Sequence, residues 1–212
     1  MSTFGITVKG EHVVALRHAV SKNKSITRGI KCLSGMIIYA HKEYGVFVLA
    51  GSRHYIASFR VCDWDCAAIA DNFVFDGNSI SYAIPIEMLK TIKAIDNVNI
   101  VFNREADYNK QINIATSNSV IQSNTVNCDI NFSKLFDVPV SGEVGHFNLQ
   151  YLGMFHKVIY TIDKKANIVL HQNGTTQAYL TVEKIPQFLG MIMPIKMKEL
   201  PELIKPWEYN YE

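Results

Sequence analysis

The sequence predicts an α+β protein made of repeated βαβββ units, mostly antiparallel sheet with short helices on one face. Three observations predict it. Apolar and polar residues alternate through most of the chain, with β-branched and aromatic residues enriched, which is the period of a strand with one buried face. Three segments instead space apolar residues three and four apart, as a helix face does. The order then repeats: strand, short helix and further strands, restarting near Ser79 and again near Glu143.

Taken along the chain, Thr3–Val8 is the first strand, and Glu11–Lys22 is a helix with Val13, Leu16 and Val20 on its apolar side. Ile30–Ala40, Val46–Gly51 and Tyr55–Val61 complete the first unit. The second runs from strand Ser79–Ile84 into helix Ile86–Ile95. Pro85 stands just before that helix, where its fixed φ suits an N-terminus, and Met88, Leu89, Ile92 and Ile95 form the apolar side. Strands Val98–Asn103, Gln111–Ser117 and Ser119–Val126 follow. The third unit is strand Glu143–Asn148, helix Leu149–Ile159 with Asn148 as its N-cap, and strands Ala166–Gln172, Gln177–Val182 and Leu189–Lys196. In the third helix Leu152, Phe155 and Ile159 point inward. Asn-, Asp- and Gly-rich pieces at His41–Gly45, Asp71–Gly77 and Asn103–Lys110 are turns or loops. A repeated unit of this kind cannot cover its sheet face alone and needs a neighbour. Residues 1–139 therefore form one domain of two units, 140–197 a further half-domain, and 198–212 a C-terminal tail.

Composition narrows the function. The chain has 212 residues, 48% hydrophobic and 19% charged, enough for a properly buried core and too apolar for disorder. Its longest apolar stretches fall short of a membrane span, and MSTFGITVKGEH has no secretory pattern, so a cytoplasmic, reducing setting is expected. The four cysteines, Cys32, Cys62, Cys66 and Cys128, are too sparse for a disulfide scaffold and read as thiols. Against 19 Asp and Glu stand 21 Lys and Arg, a net charge of +2, which argues against tight non-specific nucleic-acid binding. Some of that positive charge is sorted onto the helices. Arg17 and Lys24 fall off the apolar stripe of the first, with Lys22 and Arg28 close by; Lys90 and Lys93 project from the second; His156 and Lys157 project from the third.

Enzyme signatures are absent from the sequence. There is no HExxH, no GxSxG and no Gly-rich phosphate loop before a helix. Cys62 and Cys66 in VCDWDCAA have no matching second pair, so no zinc site is expected, and Asp63 and Asp65 read as solvated loop carboxylates. Neither a cofactor nor a catalytic group is assigned.

Six pieces of sequence carry a family resemblance. They are VFVLAGSRHYIASFRV (46–61), TVNCDINFSKLFDVP (125–139), HFNLQYLGMFHKV (146–158), ANIVLHQN (166–173), GTTQAYLTV (174–182) and FLGMIMPIKM (188–197). Together they resemble, in order, the middle domain and the end of the last domain of the bacterial sliding clamp, the β subunit of DNA polymerase III. The most specific is the last, in which two apolar residues precede Met193, Pro194, Ile195 and Lys196. The resemblance implies a DNA-clamp-like fold and a non-enzymatic processivity factor for DNA replication. Such a protein encircles duplex DNA weakly, touching phosphates with spaced positive charge; here those positions fall on Arg17, Lys22, Lys24, Arg28, Lys90, Lys93 and Lys157. It also implies an apolar cleft for the clamp-binding motifs of DNA polymerase and clamp loader, with Gly51, His54, Lys134, Leu135, Thr175, Gln177, Met191, Met193, Pro194, Ile195 and Lys196 as its wall. Gln177 and Lys134 differ from the family's smaller or more basic groups.

The family has six half-domains per chain, and this sequence carries three. Self-association is implied, four chains matching the dozen half-units of a ring. Two other readings stand beside it: a clamp mimic that sequesters clamp-binding peptides without encircling DNA, and an unrelated α+β enzyme. The reduced size is compatible with a phage or mobile-element origin. After Lys196 the chain continues through MKELPELIKPWEYNYE, beyond the family's usual end.

Overall fold

A computed structural model describes residues 2–20, 30–70, 78–104, 110–124, 126–128, 132 and 138–196. The first unit consists of β1 (Ser2–Lys9), α1 (Gly10–Leu16), a 3-10 turn (Lys31–Ser34), β2 (Gly35–His41), β3 (Gly45–Gly51), β4 (Tyr55–Cys62) and the short β5 (Ala68–Ile69). The second has β6 (Ser79–Pro85), α2 (Ile86–Leu89), β7 (Asn97–Arg104), β8 (Lys110–Ala115), β9 (Val120–Asn124) and β10 (Val126–Asn127). The third has α3 (Leu149–Ile162), β11 (Ile168–His171), β12 (Ala178–Val182) and β13 (Phe188–Ile192). Among the described residues no helix is long and apolar enough to cross a membrane.

Among the described residues all strand pairs are antiparallel, in two sheets: β5-β1-β7-β8-β9 and β10-β6-β2-β3-β4-β13-β12-β11. The first two units exchange their leading strands. β1 pairs with β7 along its length, from Ser2 opposite Arg104 to Lys9 opposite Asn97, while β6 pairs with β2, from Ser79 opposite His41 to Pro85 opposite Gly35. The third unit joins through β13 and β4, with Phe188 opposite Phe59 and Ile192 opposite Tyr55. Ser58 Oγ adds a 2.7 Å hydrogen bond to Leu189 O across that join. Residues from both sides of position 140 thus share one sheet.

The core lies in two layers. Alternate residues of the eight-stranded sheet, such as Met36, Ile38, Val48, Phe59, Leu180 and Phe188, pack with α1, α3 and the five-stranded sheet; Tyr82 stacks on Phe102 at 4.5 Å to tie the two sheets together. The intervening residues, Ile37, Tyr39, Leu49, Ile56, Tyr179 and Met191, form a second cluster with Cys32, Leu33, Cys128 and Phe132 on the opposite face. Every residue of β2 and of β3 is therefore buried. Their near-continuous apolar sequences, GMIIYAH and GVFVLAG, follow from coverage on both faces. α1 and α3 pack against each other as well as on β4.

Four expectations are corrected. The strand expected from Ile30 begins only at Gly35, Lys31–Ser34 forming a 3-10 turn instead. Residues 143–148 are not a strand. Gly142 takes a left-handed φ of +79°, and the backbone groups there bond elsewhere: Gly142 N to Gln172 O at 3.1 Å, Gly174 N to Glu143 O at 2.8 Å, and Gly145 N to the Gln172 side-chain oxygen at 2.9 Å. The helix expected over Ile86–Ile95 stops at Leu89, and Ile95 stands 89% exposed instead of joining the apolar side. The helix expected over Glu11–Lys22 ends at Leu16, although Ala19 and Val20 remain buried in turns that follow. Asn148 does cap α3, its Oδ1 accepting from Gln150 N at 2.8 Å.

Candidate functional site

The β3–β4 hairpin sets one wall of a cavity. Ser52 N donates to Tyr55 O at 2.8 Å and His54 N to Ser52 Oγ at 3.1 Å, closing a tight turn that leaves Arg53 and His54 exposed. Gly51 is required by this turn, because a Cβ there would lie 2.2 Å from Tyr55 O. Behind the hairpin, the Tyr151 ring in the first turn of α3 stacks on His54 at 5.6 Å and leans on Tyr55 at 5.2 Å. Burial pushes the Tyr55 hydroxyl pKa up.

The adjoining strand of the same sheet, β13, and the chain that follows it continue this wall. Met193 N donates to His54 O at 2.8 Å, which carries the β4–β13 pairing one residue further; Pro194 has no N–H, and Ile195 N turns to His146 O at 2.7 Å. Met191 and Ile192 are buried, whereas Met193 is 42% and Ile195 46% exposed. Over this paired seam, beside the turn that carries Ile30 and Leu33, is a cavity of about 230 Å³. Ile30, Leu33, Ile56, Met191, Ile192 and Met193 give it an apolar lining, with Ser52, Arg53, His54, Tyr55 and Gln177 as the polar and aromatic members. Gln177 Nε2 donates to Tyr179 Oη at 3.1 Å, and that oxygen also accepts from Val138 N at 3.2 Å, so the amide is held in place. Flexible methionines beside a small polar set suit an apolar side chain of a ligand.

Of the expected cleft residues, His54, Gln177, Met191 and Met193 line this cavity. Gly51 shapes the hairpin beneath it. Thr175, Pro194, Ile195 and Lys196 lie outside the lining, and Lys134 and Leu135 lie outside the described residues. Ile30, Leu33, Ser52, Arg53, Tyr55, Ile56 and Ile192 were not anticipated. The last five sit beside anticipated positions on the same hairpin or strand, so contiguity is a signal for them. Ile30 and Leu33 come from a distant turn that no local pattern marks as part of the site.

The charges expected on the helices divide, and Lys90 and Lys93 lie past the end of α2 instead of on it. Lys90, Lys93 and Lys157 are exposed; Lys22, Lys24 and Arg28 lie outside the described residues. Arg17 does not project outward as expected. Its guanidinium is half-buried and donates to Leu89 O and, at 2.6 Å, to Ile92 O. Leu89 closes α2 and Ile92 lies in the turn after it, where carbonyls outside a helical ladder are open to a planar donor, Leu89 O accepting from Ile92 N at 3.2 Å as well. Burial also lowers the Arg17 pKa.

No family model matches this sequence, and no curated protein does. Solved structures do match. The DNA polymerase III β subunit of Borrelia burgdorferi, in complex with a natural product, superimposes with a TM-score of 0.60 at 11% identity, over 91% of this chain and 64% of that one. The sliding clamp of Bartonella birtlesii bound to griselimycin gives 0.59 at 12% identity, over 92% and 66%. The β subunit of Thermotoga maritima gives 0.57 at 12% identity, over 94% and 66%. The chain has the sliding-clamp fold. It spans about two thirds of the length of the clamps it matches. Within this clamp fold the cavity occupies the seam where the first unit meets the third through β4 and β13.

Proposed function

We propose that this chain is a non-enzymatic, clamp-like accessory protein of DNA replication that holds partner peptides by an apolar side chain in the cavity at the β4–β13 seam. The observation that carries this reading is the cavity itself, about 230 Å³ of mainly apolar lining at a join between units of a clamp fold. A pocket of that size takes one or two large side chains of an extended peptide, and the exposed edge beyond Met193 offers the rest of the peptide a path. In this reading 1–139 is one clamp-like domain and 140–197 a half-domain that completes the peptide site. Self-association then supplies further units around or beside DNA, with Lys90, Lys93 and Lys157 giving weak phosphate contact.

The test is binding of a fluorescent peptide that carries a polymerase clamp-binding motif. Met193→Asp puts a charge at the half-exposed mouth and is expected to weaken binding at least tenfold with the thermal transition unchanged. Unchanged affinity overturns the site assignment. Griselimycin, bound by the Bartonella clamp, is a second probe of the same fold. For the DNA role, the protein should stay on a circular duplex and be lost when that duplex is linearised.

A second reading, a clamp mimic that sequesters such peptides, is favoured by the third unit's lack of a leading strand at 143–148. Mass in solution separates the two. An assembly of four chains supports the encircling form, and a strict monomer that still binds peptide supports the mimic.

A further inference from the structure

The second core holds two thiols that the function above does not use. Cys32 Sγ and Cys128 Sγ lie 2.7 Å apart although their residues are 96 positions apart in the chain. That separation is inside the sum of two sulfur van der Waals radii and approaches bonding distance. Both are buried, at 3% and 7% exposure. Cys32 belongs to the Lys31–Ser34 turn, whose Leu33 faces the cavity together with the adjoining Ile30. Cys128 follows the two-residue β10 at the edge of the eight-stranded sheet, and its carbonyl accepts from Ser81 Oγ. Cys32 thus sits in a single 3-10 turn and Cys128 at the end of a two-residue strand.

We propose that Cys32 and Cys128 are a reversible dithiol–disulfide pair that fastens the cavity-wall turn to the sheet edge. The oxidant is a peroxide, small enough to reach a buried pair through brief opening of the turn. The Cys128 thiol, the less buried of the two, loses its proton, and its sulfur attacks one peroxide oxygen. The O–O bond breaks, the departing hydroxide takes up a proton and leaves as water, and Cys128 becomes a sulfenic acid. Cys32 sulfur then attacks Cys128 sulfur; the S–O bond breaks, the hydroxyl leaves with the Cys32 proton as a second water, and the S–S bond forms. Two thiols lose two electrons and one peroxide gains them. A dithiol reductant reverses the reaction by exchange. The pair acts on the wall whatever fills the cavity.

The experiment uses the full chain carrying Cys62→Ser and Cys66→Ser, so that only this pair remains, treated with hydrogen peroxide and compared before and after dithiothreitol. The expected product is a chain lighter by two hydrogens and not cross-linked to another chain, with a Cys32–Cys128 cross-linked peptide in its digest. Its thermal midpoint should rise by about 5–10 °C. Hydrogen exchange of residues 30–34 should slow at least tenfold, and all three changes should reverse on reduction. Adding Cys128→Ser should abolish them, and Cys32→Ser, made separately, guards against a folding defect in either variant. The proposal is overturned if the pair stays unlinked, or becomes sulfinic, at a peroxide concentration that oxidises the exposed Cys66 of the unsubstituted chain. It is equally overturned if the linked chain exchanges at 30–34 as fast as the reduced one.

Discussion

The first two units and the third face the same requirement, a sheet face to cover and a backbone edge to pair, and meet it differently. Units one and two trade leading strands, so that β1 lies against β7 and β6 against β2, and each sheet is stitched by chain from both. In the third unit 143–148 makes no strand, and its backbone bonds to the 172–174 turn and to residue 195 instead. What holds the third unit is β13 on β4 and α3 on α1. Without an exchanged strand the third unit extends its neighbour's sheet instead, and the seam so made is where the cavity lies.

The largest expected effect tests that dependence. Phe59 on β4 is fully buried, stacks on His12 at 4.4 Å and packs on Phe188 of β13 at 5.3 Å. Phe59→Ala should cost about 3–5 kcal/mol, and denaturant unfolding followed by separate probes in 79–104 and 149–192 should show both regions lost in one transition. Two separated transitions would show that the third unit stands on its own.

A smaller effect comes from α1. His12 is buried with its pKa depressed from 6.5 to about 4, chiefly by burial, opposed by Glu11 and reinforced by Lys9. The native side chain stays neutral while the unfolded one takes a proton near its ordinary pKa, so below that point the unfolded state binds more protons. Stability should be full above pH 6.5 and fall as pH drops toward about 4, by roughly 3 kcal/mol once both states are protonated. Urea midpoints across this range check it, and His12→Gln should flatten the profile. The smallest effect is confined to the third unit: Asn148→Ala removes the α3 cap and should cost about 1 kcal/mol, with amide exchange rising in the first turn of α3 and unchanged in β1 and β7.

Most strands were legible because alternation survives wherever one face is covered, as in the exposed-to-half-buried rhythm of β9. β2 and β3 were legible for another reason, since doubly covered strands become apolar runs bounded by turn residues. Three features misled. Glu143–Asn148 has an alternating pattern, but Gly142 and Gly145 let its backbone bond to a neighbouring turn. Ile95 keeps the helical spacing after the helix has ended. Arg17 carries a charge whose partners are carbonyls 72 and 75 residues away. At the site, His54, Gln177, Met191 and Met193 were reached through resemblance. Ile30, Leu33 and the Cys32–Cys128 contact were not, because no local spacing links residues that meet only across a folded sheet.

The sequence by itself determined most of the extended segments, where the three helices start, and the strand–helix–strand order of the first two units, because those properties depend on side-chain period and on caps a few residues apart. Only the tertiary structure decided that leading strands are exchanged, that the third unit shares its neighbour's sheet, and that a turn near residue 30 walls a cavity beside residue 193. Those outcomes depend on backbone groups finding partners across scores of residues, and no local pattern records which partner each of them finds.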